Sequence, residues 1–196
     1  MTLSELIQEV YTLTNRPDLV GLTLTGVRAA TLKMHQSDYY YKDIFETGIS
    51  FTTAEYLQQI EYRALFPQWR AFKYLRKTDV TGTEQGKFID PIAPEIVLDG
   101  YSLNRTDVCY VAGSLIQVRS STQLQYSILG CYLNPVITEA GYSSWIALDH
   151  PYAIVYEAAA TVFKAIGDSD QFAVFNNLAL LQIAELRGSN IQAQGY

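Results

Sequence analysis

The sequence predicts an α+β fold: a helical bundle with a long C-terminal helical hairpin, plus a small antiparallel β-sheet and an extended loop. Three observations carry that expectation. Apolar residues recur at helical spacing at the two ends of the chain, period-two alternation is confined to the middle, and a polar, glycine-containing stretch interrupts that middle. A length of 196 residues suits one domain with a sizeable core, so residues 1–188 are expected to form that domain and residues 189–196 a polar tail.

The first helix is signalled by Thr2-Leu3-Ser4-Glu5, a capping-box pattern, followed by Leu3, Leu6, Ile7, Val10 and Leu13 at helical spacing; Arg16-Pro17 ends it. A second helix is expected from about Thr25 to Gln36, where Val27, Ala30, Thr31 and Met34 make a narrow face of mostly small residues. The period then changes. Ile44 to Phe51 alternates imperfectly around Gly48, and Tyr56 to Phe66 is rich in β-favouring residues, so both read as strands. Trp69 to Lys77 alternates aromatic or apolar with basic residues, as a half-exposed strand does, with a helix as the rival assignment.

Thr78 to Pro91, with Gly82 and Gly86, has the composition of an exposed loop able to project as an arm, and Pro94 to Tyr101 reads as a short helix. Val108 to Val111 and Leu115 to Arg119 flank Ala112-Gly113-Ser114, whose Gly-Ser pair suits a tight hairpin turn; Leu124 to Leu133 supplies a third strand. The C-terminal hairpin begins at His150-Pro151. Val155, Ala158, Ala159, Val162, Phe163 and Ile166 share one broad face, and Gly167 marks the stop. Asp168 or Ser169 is placed to cap the next helix, which carries Phe172, Phe175, Leu178, Leu181, Ile183 and Leu186 before Arg187-Gly188.

Composition narrows the function classes. Charged residues are 17% of the chain and hydrophobic ones 48%, which excludes a disordered chain and points to burial by partner subunits. A net charge of -6, with no clustered stripe of Lys and Arg, argues against a dedicated DNA binder. The N-terminus lacks the layout of a signal peptide and no apolar run is long enough to span a membrane, so synthesis and assembly in the cytoplasm, away from membranes, are expected.

The supply of catalytic groups is thin. His35 and His150 are the two histidines, and both have structural readings at helix ends. Cys109 and Cys131 lie in strand-like runs without partners at metal spacing and read as small buried hydrophobes. No Gly-x-Ser-x-Gly elbow, phosphate loop, His-Glu-x-x-His or calcium loop is present. Asp90, Glu95, Asp99, Asp107, Glu139, Asp149 and Glu157 are scattered, and sequence does not fix the separation on which a glycosidase pair depends. The expectation is a protein with no catalytic residues, no cofactor and no metal.

Tyrosine is the compositional oddity, with 15 copies including Tyr39-Tyr40-Tyr41 and the terminal Tyr196. A ring that buries an apolar body while keeping a polar tip suits extensive and specific interfaces. The segment Tyr39-Tyr40-Tyr41, between a helix and a strand, is therefore the candidate interface group.

The order of elements, with the wording Phe66-Pro67-Gln68-Trp69-Arg70-Ala71-Phe72-Lys73-Tyr74-Leu75-Arg76 and Trp145-Ile146-Ala147-Leu148-Asp149-His150-Pro151, resembles the head-to-tail adaptor (connector) family of short-tailed phages, which includes the tail accessory factors and, more distantly, the tail tubular proteins. The resemblance implies a structural protein of the virion neck: a ring of twelve copies, docked below the portal protein, with a channel through which double-stranded DNA passes without specific binding. It implies tail nozzle or tail fibre proteins as partners on the lower face. It also implies that the C-terminal tail reaches the portal, giving Asn190, Ile191 and Tyr196 a binding role. An acidic chain suits such a channel, since a lining that repels phosphate lets DNA slide. The rival expectations are a tail-completion or other neck protein and a tail-associated peptidoglycan-cleaving enzyme.

Overall fold

The computed structural model describes residues 1–78, 86–97 and 105–193. The chain divides into two compact units, one formed by residues 1–43 with 134–196 and one by Ile44–Leu133.

The first unit is helical. Helix α1 (Leu3–Thr14) starts at the capping box: the Thr2 hydroxyl accepts from the Glu5 amide at 3.3 Å, and the Glu5 carboxylate accepts from the Thr2 amide at 2.8 Å. Helix α2 (Val20–Gln36) is followed, after the β-rich segment, by α4 (Trp145–Asp149), α5 (Pro151–Ile166) and α6 (Ser169–Ala193). Helix α5 is the central element, with Ala153, Ile154, Val155, Ala158, Ala159 and Val162 fully buried. Its alanines allow close approach: a Cβ built on Gly26 of α2 would sit 3.6 Å from the Ala158 carbonyl oxygen. Around α5 pack Leu6 and Val10 of α1, Val27 and Met34 of α2, and Ile183 and Leu186 of α6. Truncating one of the fully buried members, such as Leu6→Ala, costs about 2–5 kcal/mol. Gly167 ends α5 in the left-handed region at φ 82°, and the Asp168 carboxylate accepts from the Gln171 amide at 3.0 Å to start α6.

The second unit overturns the expected architecture. Its strands are β1 (Ile44–Glu61), β2 (Trp69–Lys77), β3 (Phe88–Pro91), β4 (Val108–Ala112) and β5 (Leu115–Leu133), with a four-residue helix, α3 (Tyr62–Leu65), between β1 and β2. Strand β5 pairs with β4 through Arg119 and with β2 from Ser127 onward, on the same edge, while β3 bridges β2 and β4. β5, β4, β3 and β2 therefore close into a four-stranded barrel, and β1 lies along the other edge of β5 as an extra strand. Ile60, Leu75, Ile89, Cys109, Ile116, Val118, Leu124 and Leu129 form its core.

The expected helical bundle with a small antiparallel sheet is thus corrected to a mixed fold with a closed barrel, and the reason is local. On the sequence alone, each break in the hydrophobic alternation marks the end of a strand. In β5, side chains alternate as far as the buried Ser120, then Ser121–Gln123 are all exposed where the strand turns from β4 to β2. In β1 the register slips between Ser50 and Leu57, so Thr52-Thr53-Ala54 stays inside one 18-residue strand. Irregular, bulge-like pairing bends a strand without ending it, and barrels need such bends. Other bounds move too. α2 begins at Val20 rather than Thr25, Tyr62–Leu65 is helical rather than extended, and Phe88–Pro91 of the expected loop is strand. Residues 79–85 of the proposed arm and 98–101 of the helix expected to Tyr101 lie outside the described residues; Pro94–Ile96 is a 3-10 turn. The hairpin turn is as expected. Gly113 has φ 63° as the first central residue between Ala112 and Leu115, the geometry of a two-residue turn with glycine leading.

Candidate functional site

Residues singled out by the sequence for partner binding meet at one end of the helical unit. The side chain of Asn190, on α6, reaches the segment after α2: its Oδ1 accepts from the Tyr41 amide at 3.1 Å and its Nδ2 donates to the Tyr39 carbonyl at 3.3 Å. One turn earlier, Arg187 donates to the Ser37 carbonyl at 2.6 Å. These bonds are possible because α6 continues through Gly188 to Ala193, so residues expected in a tail form the last helical turns. Asn190 is 5% exposed and works as a clamp, whereas Ile191, the next residue, is 53% exposed.

The three tyrosines divide by the same geometry. Tyr39 and Tyr41 stand exposed on either side of Tyr40, which is in the core with its ring edge-on to Trp145 at 5.3 Å and its hydroxyl 2.7 Å from that of Ser37. Burial pushes the Tyr40 hydroxyl above its ordinary pKa, against the opposing bond from Ser37. Beside it Lys42 lies 5.0 Å over the Trp145 ring and donates to Asp149 at 2.6 Å; that bond raises the Lys42 pKa and lowers that of Asp149. A small cavity of about 40 Å³ lies among Tyr40, Lys42, Trp145, Leu186 and Asn190. Tyr196 lies outside the described residues.

Behind this end is a polar cluster that sequence reasoning missed. His35 Nδ1 is 2.7 Å from Asp43 Oδ1, and its Nε2 is 2.9 Å from Ser144 Oγ; Trp145 Nε1 donates to the same Asp43 oxygen at 2.7 Å. The connectivity Ser–His–Asp is that of a hydrolase triad. Its setting differs, because His35, Asp43 and Ser144 are all buried and Ser144 is the N-cap of α4, accepting from the Ala147 amide at 3.2 Å. What the arrangement does in this setting is join the end of α2, the 41–43 turn and the start of α4 through satisfied hydrogen bonds. Asp43 lies eight residues from His35, but Ser144 lies 109 away, and no local pattern links it to them. His150, expected to serve a helix end by its side chain, makes no side-chain cap; its backbone closes α4 instead.

The third feature is the outward side of α6. Phe172, Phe175, Ile183 and Leu186 turn toward the core, while Val174, Leu180, Leu181 and Ile191 are each more than half exposed. Leu181 and Leu186 belong to the same helix, but the 3.6-residue period turns them to different sides. Large apolar side chains aligned on a solvated helix mark an interaction surface.

Among the described residues, no group of three or more His, Cys, Asp and Glu side chains is placed to hold a metal ion, and no helix is long and apolar enough to cross a membrane. No protein-family model matches the chain, and no curated protein matches it in sequence.

Proposed function

We propose that this chain is a non-enzymatic structural subunit of a phage particle, the head-to-tail adaptor that assembles as a ring between portal and tail. The observation that carries the reading is the exposed apolar side of α6, joined at its C-terminal end to Tyr39 and Tyr41 by the Asn190 clamp. A helix with this surface is suited to burial against other protein, not to solvent. The resemblance in order of elements supports the adaptor position, and the net charge of -6 supports a channel that passes DNA without holding it. In this reading Tyr39, Tyr41 and Ile191 meet a partner, and Asn190 holds them in place. The test is capture of the full chain by the portal ring of its own phage, measured by mass. A stoichiometric complex supports the proposal, and a chain that ignores the portal refutes it.

A second reading, acyl or ester hydrolysis, is favoured by the Ser144–His35–Asp43 connectivity and opposed by its burial. A fluorophosphonate probe decides between them. Labelling at Ser144 that is lost on His35→Ala would establish a hydrolytic site, whereas the adaptor reading expects no adduct on the folded protein.

A further inference from the structure

The adaptor reading requires copies of the chain to touch, and the helical unit carries two different surfaces that fit one another. The first is the outward side of α6, a broad stripe: Val174 and Leu181 along one line, Leu180 and Ile191 along another about 100° round the helix, with Ala184 and Gly188 between. A Cβ built on Gly188 meets nothing within 4 Å, so no packing among the described residues accounts for a glycine that costs an exposed helix about 1 kcal/mol relative to alanine. The second surface is a groove of about 440 Å³ between α2 and the flank of α6, floored by Ala29, Leu32 and Ile183 and edged by Lys33 and Arg187.

Charge favours this pairing over either surface meeting itself. The acids on the exposed part of α6 are Asp170 and Glu185, and the stripe carries no cation. The groove lining carries two cations and no carboxylate. Lys33 is paired with Glu157, but Arg187 donates to a neutral carbonyl, that of Ser37, and has no ion pair among the described residues. Two stripes together would set acid against acid.

We infer that the α6 stripe of one copy seats in the α2/α6 groove of the next copy, giving a head-to-tail contact. Because stripe and groove are different surfaces, the contact is heterologous and generates a ring where the rotation closes. This inference rests on the adaptor reading and names its subunit contact. At 1.5 Å per residue, Val174 to Ile191 spans roughly 26 Å, and a strip about 10 Å wide covers on the order of 260 Å². That is well below the roughly 800 Å² per partner of a stable pair. The contact therefore leaves the isolated chain monomeric at low concentration and gains strength when repeated around a closed ring.

The experiment places a photo-crosslinking benzoylphenylalanine at position 181 of the full chain, mixes it with isotope-labelled chain at high concentration, and maps the crosslinks between copies by mass spectrometry. Crosslinks landing on residues 29–37 or 183–187 support the inference. Crosslinks landing back on 174–191 outside that groove, landing elsewhere, or absent altogether overturn it. Glu at position 32 in the labelled copy (Leu32→Glu), with an unchanged circular-dichroism spectrum, is expected to lower the yield about tenfold; no change overturns the inference. Portal capture is read separately. Portal rings that take up the chain while the crosslink maps elsewhere leave the adaptor reading standing and this contact refuted; a groove crosslink without portal capture refutes the adaptor position and keeps the contact.

Discussion

Removing the Asp43 carboxylate tests the polar cluster most directly, because one oxygen serves two donors, the buried His35 ring and the half-buried Trp145 indole. His35 Nδ1 and Trp145 Nε1 both lie 2.7 Å from Asp43 Oδ1, and the His35 and Asp43 side chains are 2% and 3% exposed. Asp43→Ala leaves both donors facing a space with no acceptor. A buried polar group stripped of its partner costs about 1–3 kcal/mol, so two cost roughly 4 kcal/mol. Asp43→Asn keeps an oxygen that accepts both bonds, but bonds to a neutral acceptor are about half as strong as charge-assisted ones, so roughly 2 kcal/mol is lost. With a urea slope of about 2 kcal/mol/M, the midpoints fall by roughly 2 M and 1 M. Equilibrium urea unfolding, followed by far-UV circular dichroism and tryptophan fluorescence, measures both. An Asp43→Ala midpoint within 0.3 M of the parent, as a rough resolution limit for that slope, would refute the argument that this cluster holds the helical unit together.

Three further predictions follow from the same structure. Asn190→Ala removes the clamp on Tyr39 and Tyr41; it is expected to cost about 2 kcal/mol and to speed hydrogen exchange at the Tyr41 amide, while Ile191→Ala, on the exposed side, is expected to cost under about 0.5 kcal/mol. At Asp107, burial raises the carboxyl pKa, but bonds from Lys77, Ser121 and Lys87 outweigh it and hold the group below the ordinary carboxylate value. The folded pKa is thus the lower one, so this contribution is present above the ordinary value and is lost as pH falls below it; Asp107→Asn is expected to flatten the acid limb of a stability-against-pH curve. Burial pushes the Cys109 thiol up to about 12 and the Cys131 thiol up to about 11, so neither is expected to react with a thiol-disulfide reagent at pH near 8 until urea unfolds the barrel.

Features governed by neighbours along the chain were legible in the sequence. The Thr2–Glu5 capping box, the Gly113 turn and the Gly167 stop each depend on a few consecutive residues, and each forms as read. The strand assignment of Trp69 to Lys77 depended on alternation alone and also holds. Burial of Cys109 and Cys131 followed from their apolar surroundings. Tyr39, Tyr41 and Ile191 lie exposed, but nothing in the sequence said that Asn190 faces inward to hold that end, since this depends on α6 running about one and a half turns beyond its expected stop.

What the tertiary structure alone decided has one physical cause: pairings between residues far apart in the chain. The barrel closes because β5 changes partner at its bend and because β3 lies beside β4 in parallel, neither of which leaves a periodic trace. The His35–Asp43–Ser144 relay joins residues more than a hundred positions apart. The sequence by itself determined where helices and strands could form, through propensity, capping and turn chemistry acting over a few residues. Which strands meet, which side of α6 is left exposed, and whether a histidine ends in solvent or in a buried network are set by packing among distant segments, where the hydrophobic and hydrogen-bonding gains of the whole fold outweigh local preference.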